Sequence, residues 1–216
     1  MKKEIVVIGL GIFGHEVAIC LEQKGHSVLA VDIRPEPVAA IKDQVSAAMV
    51  ADVTDEDALR ELDVTKFNMI ILGLGGNFEE QIIGLTYLKK MAAQYIIARA
   101  TTEIQQEILL RIGADEVILP EKQSAAHLAA RIAVPNIMEF LELDEEINLT
   151  EIHVDHELAG KTLEELNLRQ KHHITALILK RKGHQPKIIT SPDITLMLDD
   201  CLVVVGRQDD IEQYFS

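Results

Sequence analysis

The residues with the clearest chemical purpose lie early in the chain, in the run Gly9-Leu10-Gly11-Ile12-Phe13-Gly14, with Asp32 following eighteen residues after Gly14. Glycines at this spacing suit the binding of a phosphate ester. Gly9 permits a tight turn, Gly11 lets the backbone approach a pyrophosphate, and Gly14 lets the next helix pack closely on the preceding strand. A helix opening at Ile12 and Phe13 presents unpaired amide donors and the positive end of its dipole to the same anion. Asp32, at the end of the second strand, is placed to accept both hydroxyls of an adenosine ribose. Glycines that serve only a tight turn are the blander alternative. Strand, glycines, helix, strand and acid in one register point instead to an adenine nucleotide. Asp32 opposes a 2′-phosphate by like charge; Arg34 alone keeps one open, its plainer role being a solvated loop residue beside Pro35.

Two further places fall where such a sheet gathers its ligand-binding strand ends. Asp52-Val53 is expected near the adenine, and Gly73-Leu74-Gly75-Gly76-Asn77 beneath the nucleotide. Three glycines exceed what a turn requires. Arg99, closing the fifth strand, is a candidate for phosphate. A catalytic set is harder to find: no defensible acid–base pair faces the cofactor position, and neither a nucleophile elbow nor a P-loop lysine is present. His15 is expected on an exposed helix face. His153 and His156 beside Glu157, with His172, His173 and His184, match no metal-ligand spacing and read as solvated or turn residues. The chain therefore reads as a binding protein and not an enzyme.

The elements that must hold these residues follow from apolar runs at Ile5–Gly9, Val28–Val31, Ala48–Ala51, Met69–Gly73, Tyr95–Arg99 and Val117–Leu119. Helical patterns separate them: Phe13, Val17 and Leu21 share one face before Gly25, and Thr54 is expected to cap a helix carrying Ala58 and Leu62. This alternation predicts an α/β chain with a Rossmann-like doubly wound parallel sheet over residues 1–141. A helix is expected near Glu121–Leu141, then an acidic hinge or linker from Glu142 to Glu146. Closer strands follow at Leu149–His153, Thr175–Arg181, Lys187–Ile189 and Cys201–Val205, with short helices near Leu163–Leu166 and Asp209–Tyr214. They predict a small C-terminal α+β domain over residues 147–216.

Composition supports this division. Of 216 residues, 48% are hydrophobic but only 4% aromatic, with no Trp, so the core must be aliphatic, as parallel sheets prefer. Lys and Arg number 21 against 35 Asp and Glu, a formal charge of −14. That balance opposes nucleic acid and anionic membrane surfaces as partners. The apolar run after Met1-Lys2-Lys3-Glu4 is too short for a signal peptide, and no stretch is long enough to span a bilayer, so direct membrane insertion is not expected. Cys20 and Cys201 form no CxxC and read as buried, reduced thiols of a cytosolic protein.

Taken together, these residues resemble the RCK (KTN/TrkA-type) regulatory subunits of bacterial potassium-uptake channels of the Ktr and Trk kind. The resemblance runs through Val7–Gly14, Gly25–Asp32, Ala51–Asp55, Ile112–Ile118 and Pro120–Lys122. In the second half it continues through Leu158–Arg169 and Asp200–Gly206. It implies a cytoplasmic homo-oligomer, dimers assembling into a ring of commonly eight, docked beneath a potassium-channel membrane subunit of TrkH/KtrB type. Exchange of ATP, ADP or NAD(H) would change the ring's shape and so gate the pore.

One departure bears on specificity: Ile12 stands where many relatives carry an Arg that reaches the terminal phosphate of ATP. The site is then expected to prefer ADP or NAD(H), or Arg99 to replace the lost charge. The resemblance also implies a divalent cation at Glu121, whose plainer role is to stabilise a helix N-terminus. It further implies cyclic di-AMP near Asn167 and Arg169, a segment that equally reads as dimer core. Two competing functions remain open. An NAD(P)-dependent oxidoreductase or redox sensor would need an acid–base residue at the nicotinamide. A transcriptional redox sensor is opposed by the negative charge and the lack of a helix-turn-helix pattern.

Overall fold

The computed structural model describes residues 2–133, 137–144 and 146–215. The chain divides into two compact units, Met1–Lys122 and Gln123–Ser216. The first alternates strand and helix: β1 (Glu4–Ile8), α1 (Ile12–Gln23), β2 (Ser27–Asp32), α2 (Pro35–Ile41), β3 (Ala47–Val50), α3 (Glu56–Leu62), β4 (Met69–Leu72), α4 (Phe78–Lys90), β5 (Ile96–Arg99), α5 (Glu103–Ile112) and β6 (Glu116–Ile118). α6 (Pro120–Ala133) follows, and the division between units falls within it. The six strands are parallel in the order β3-β2-β1-β4-β5-β6, which reverses between β1 and β4. Each strand lies within a residue or so of its expected run.

Continuous apolar runs build this sheet because both of its faces are covered. Ile5, Val6, Val7 and Ile8 are all buried. Val6 and Ile8 pack with Ile70, Leu72, Ile96, Leu85 and Leu88 on one face. Ile5 and Val7 pack with Val28, Ala30, Ile71 and Ala18 on the other. The expected cap of α3 shifts by one residue: Asp55 accepts from the Asp57 and Ala58 amides, while the Thr54 hydroxyl donates to Asp52.

The second unit contains β7 (Ile137–Glu142), β8 (Ile147–His153), α7 (Leu163–Leu166), α8 (Leu168–Lys171), β9 (Thr175–Lys180), β10 (Lys187–Ile188), β11 (Cys201–Arg207) and α9 (Gln208–Phe215). Its sheet runs β10-β9-β11-β8-β7, antiparallel throughout. Ile152, Leu202, Val204, Ile211 and Phe215 fill its core.

Two expectations are corrected here. The helix extended to Leu141 ends at Ala133 among the described residues, and Ile137–Glu142 instead pairs with β8. Pro135 in the sequence opposes carrying a helix through this stretch. Residues 137–141, expected in the first domain, therefore belong to the second unit's sheet. The acidic stretch is likewise not a linker between domains. The Leu143 and Asp144 amides both reach the Ile147 carbonyl, closing a turn between β7 and β8. Glu145 lies outside the described residues.

Candidate nucleotide site

The reversal of strand order places the ends of β1 and β4 side by side, the crevice where open α/β sheets take their ligands. Both strands run into glycine turns, tied by the Gly73 amide donating to the Ile8 carbonyl at 2.8 Å. Gly9 has φ +90, and a Cβ there would lie 2.8 Å from Leu74 Cδ2. A Cβ on Gly14 would come within 1.9 Å of the Gly9 carbonyl oxygen, and one on Gly73 within 3.0 Å of the same atom. Gly14 is thus required by packing, Gly9 by its left-handed backbone, and Gly73 sits where a side chain would be tight.

Gly11 differs. A Cβ there would meet nothing within 4 Å, and φ −66 with ψ −174 is open to any residue. Gly11 is also the N-cap of α1 and supplies no capping side chain, and the first turn carries no acid. The opening amides of α1 therefore face outward unpaired, with the dipole favouring an anion. Ile12 is 91% exposed at the same place and brings no charge.

Asp32 borders this helix end and is only 6% exposed. Its Oδ2 accepts from the Leu10 amide at 2.7 Å; its Oδ1 accepts from the Arg34 amide at 2.9 Å and Arg34 Nε at 3.2 Å. Burial pushes the carboxyl up, but the Arg34 and Leu10 amides and the Arg34 guanidinium outweigh it and hold the group below its ordinary value. The charged form is thus fixed at the end of β2 before any ribose arrives. Arg34 is not simply solvated, since it neutralises this acid.

The remaining predicted residues are placed unevenly. Asp52 is half-buried, and its Oδ1 closes a turn by accepting from Thr54. Val53 does not turn its side chain to a ligand: it is 6% exposed in the core, and a Cβ on Gly84 of α4 would meet its Cγ2 at 2.6 Å. Asn77 is spent locally as the N-cap of α4, accepting from Glu79 and Glu80 amides.

Gly75 and Arg99 come together. A Cβ on Gly75 would lie 2.1 Å from Arg99 Nη1, so the guanidinium fills the space that the glycine leaves. The guanidinium carbon lies 5.9 Å from the Phe13 ring centroid, Nη2 pairs with Glu121, and Nε is buried without a partner. Glu121, in the first turn of α6, is held below the usual carboxylate range by its own backbone amide and, against some burial, by Arg99. Its plainer helix-terminus role is therefore present alongside the ion pair. No group of three His, Cys, Asp or Glu residues among those described is arranged to hold a metal.

A cavity of about 260 Å³ opens beside Arg99, lined by Leu74, Gly75, Gly76, Phe78, Gln81, Thr101 and Gln105. Gln81, Thr101 and Gln105 were not anticipated. Gln81 carried a usable signal: it shares a buried helix face with Leu85 and Leu88, where an amide must find a partner. It donates to the Arg99 carbonyl at 2.6 Å.

In the second unit, Asn167 and Arg169 line a cavity of about 580 Å³ with Leu168, Ile174, Thr175 and Pro192. His15 is half-buried rather than exposed. His153 Nε2 lies 3.5 Å from Asp199 Oδ1. The thiols are free, yet Cys20 is exposed and Cys201 half-buried, against the expectation that both are core. Cys20 lies off the buried stripe of α1 marked by Gly14 and Ala18.

The sequence matches the TrkA-N domain over residues 5–120 and the TrkA-C domain over residues 149–216. It is 35% identical over 216 residues to Ktr system potassium uptake protein C of Bacillus subtilis (strain 168), covering 99% of this chain and 96% of that one. Ktr system potassium uptake protein A of Vibrio alginolyticus is 34% identical over 209 residues, covering 96% and 94%. A solved GsuK channel bound to NAD shares the fold, with a TM-score of 0.65 at 17% identity over 100% of this chain and 39% of that longer one. With both domains matched in order and the full length aligned to such relatives, the chain belongs to the TrkA-type, or RCK, family of potassium-uptake proteins.

Proposed function

We propose that this protein is a cytoplasmic nucleotide-sensing regulatory subunit that gates a membrane potassium-uptake channel of the TrkH/KtrB type. The observation that carries the reading is the uncapped end of α1 at Gly11, beside the preset Asp32 carboxylate, in a chain aligned over its full length with Ktr system proteins. The ligand is an adenine nucleotide: ATP, ADP or NAD(H). The NAD in the GsuK channel supports that class. The charge of −14, and the absence among the described residues of any helix long and apolar enough to cross a membrane, favour attachment through a protein partner.

The working form is a homo-oligomeric ring, dimers assembling into an octamer. Exposed apolar residues such as Ile104 and Ile188 supply surface for it. Gating then requires only that the nucleotide bind one ring conformation more tightly than another; a hundredfold difference shifts the equilibrium by roughly 2.7 kcal/mol. No chemical step is needed.

Two accessory ligands belong to the same reading. A divalent cation at Glu121 would have to draw the carboxylate away from Arg99. Cyclic di-AMP would take the cavity at Asn167 and Arg169, whose lining mixes polar side chains with Leu168, Ile174 and Leu177, as a nucleobase and phosphate would need.

The test is calorimetric titration of the purified chain with ATP, ADP, NAD⁺ and NADH, with light scattering on the same samples. Micromolar or tighter binding of at least one by a ring-sized assembly is expected. A chain that binds none of the four is not a nucleotide switch.

A further inference from the structure

We infer that Glu121 sets how strongly the site distinguishes nucleotides by their terminal charge, because it competes with the ligand for Arg99. This rests on the nucleotide reading above, and makes Arg99 and Glu121 a specificity-determining pair.

Arg99 is held in place from several sides. Its backbone carbonyl is tied by Gln81 at 2.6 Å, its guanidinium lies under Gly75 and over the Phe13 ring, and its side chain is 16% exposed. The guanidinium is thus packed between residues that follow β1 and β4. Its hydrogen-bonding capacity, however, is only partly used. Nη2 goes to Glu121, Nε is buried without a partner, and the residue lines a cavity of about 260 Å³ with Thr101 and Gln105. Glu121 is differently placed: its side chain is 59% exposed, so it can return to water at small cost.

The consequence follows from charge. Ile12 offers no cation at the end of α1, so Arg99 is the cation among the described residues lining the cavity beside the two glycine turns. A phosphoryl group extending past the α1 amides meets a guanidinium already neutralised by a carboxylate. Binding it means exchanging one anion for another, and the gain is only the difference between the two pairings. The more terminal charge a nucleotide carries, the more it gains from winning that exchange. Glu121 therefore damps the preference for ATP over ADP. Removing its charge while keeping its shape should expose that preference.

The experiment is titration calorimetry of the full chain with ATP and with ADP, in chelator to exclude divalent cations. The chains compared are the wild type, Glu121→Gln, Arg99→Gln and the double variant. Glu121→Gln changes an exposed side chain without changing its volume, so folding is retained. The expected result is a rise of about tenfold in the ratio of ATP to ADP affinity for Glu121→Gln. Neither Arg99→Gln nor the double variant should show that rise. An unchanged ratio in Glu121→Gln overturns the inference. So does a rise that survives in the double variant, which would make Glu121 a simple repelling charge with Arg99 uninvolved. In both cases wild-type binding leaves the nucleotide reading standing, whereas a wild type that binds neither nucleotide removes both.

Discussion

Asp32 illustrates how one side chain serves fold and ligand together. Its two oxygens hold the Leu10 amide and the Arg34 amide and guanidinium, so the turn after β1 and the loop after β2 are tied through a single carboxylate. Asp32→Asn should cost about 1–3 kcal/mol in urea unfolding, because hydrogen bonds to a charged acceptor are weakened. The folded-state pKa is depressed. The charge-dependent stabilisation is therefore complete above the unfolded value of about 4 and is lost as pH falls through the lower folded value. The stability gap between wild type and Asp32→Asn should accordingly close in acid; a gap that widens below pH 4 would contradict this assignment.

Gly11 is the complementary residue. Gly11→Ala meets open space in a relaxed backbone conformation, so the folded chain should lose no more than about 1 kcal/mol. The added methyl would stand between the α1 amides and a pyrophosphate, and nucleotide affinity should fall at least about tenfold. Calorimetry and thermal unfolding on the same sample separate the two effects. Unchanged affinity in a folded Gly11→Ala chain, or a stability loss well above about 1 kcal/mol, would contradict this assignment.

Among the elements, α1 packs on β1 through Gly14, where close approach leaves no room for a side chain. Gly14→Ala would press a methyl to 1.9 Å from the Gly9 carbonyl oxygen, and should cost at least about 2 kcal/mol. Comparing it with Gly11→Ala by denaturant unfolding tests whether the two glycines of one motif play separate roles; equal stabilities would refute that.

The parallel sheet was legible because its strands are short apolar runs spaced by helical patterns, and the glycine motif marked the first crossover. Asp32 and the Arg99 position followed from strand ends. Less was legible where a side chain's use depends on a distant neighbour. Val53 reads as a loop residue near the adenine, but Gly84, thirty-one positions later, leaves the space that buries it. Asn77 reads as ligand-facing, yet the helix that follows takes its carboxamide as a cap. β7 was masked by the helical pattern before it, because six residues of strand carry no periodicity that separates them from a helix end.

For the whole molecule, the two units divide the work: nucleotide features gather in Met1–Lys122, and the second unit contributes a separate antiparallel core with its own cavity. The proposed assembly of copies is something that neither unit's core accounts for. Ile104 is 71% exposed in the first turn of α5, where an acid also suits the helix dipole. Ile104→Asp should leave the unfolding free energy of the subunit within about 0.5 kcal/mol of wild type. It should reduce the assembly mass in light scattering if this face is buried between copies; an unchanged mass would place the interface elsewhere.

A regulatory subunit of this kind must place potassium movement under nucleotide control. Its most direct test is flux into vesicles containing a TrkH/KtrB-type membrane subunit, with this chain added and nucleotides exchanged. A several-fold change in flux between nucleotides is expected with the wild-type chain and none with Gly11→Ala. Flux that is indifferent to nucleotide, while the same chain binds it, would rule out gating by this subunit.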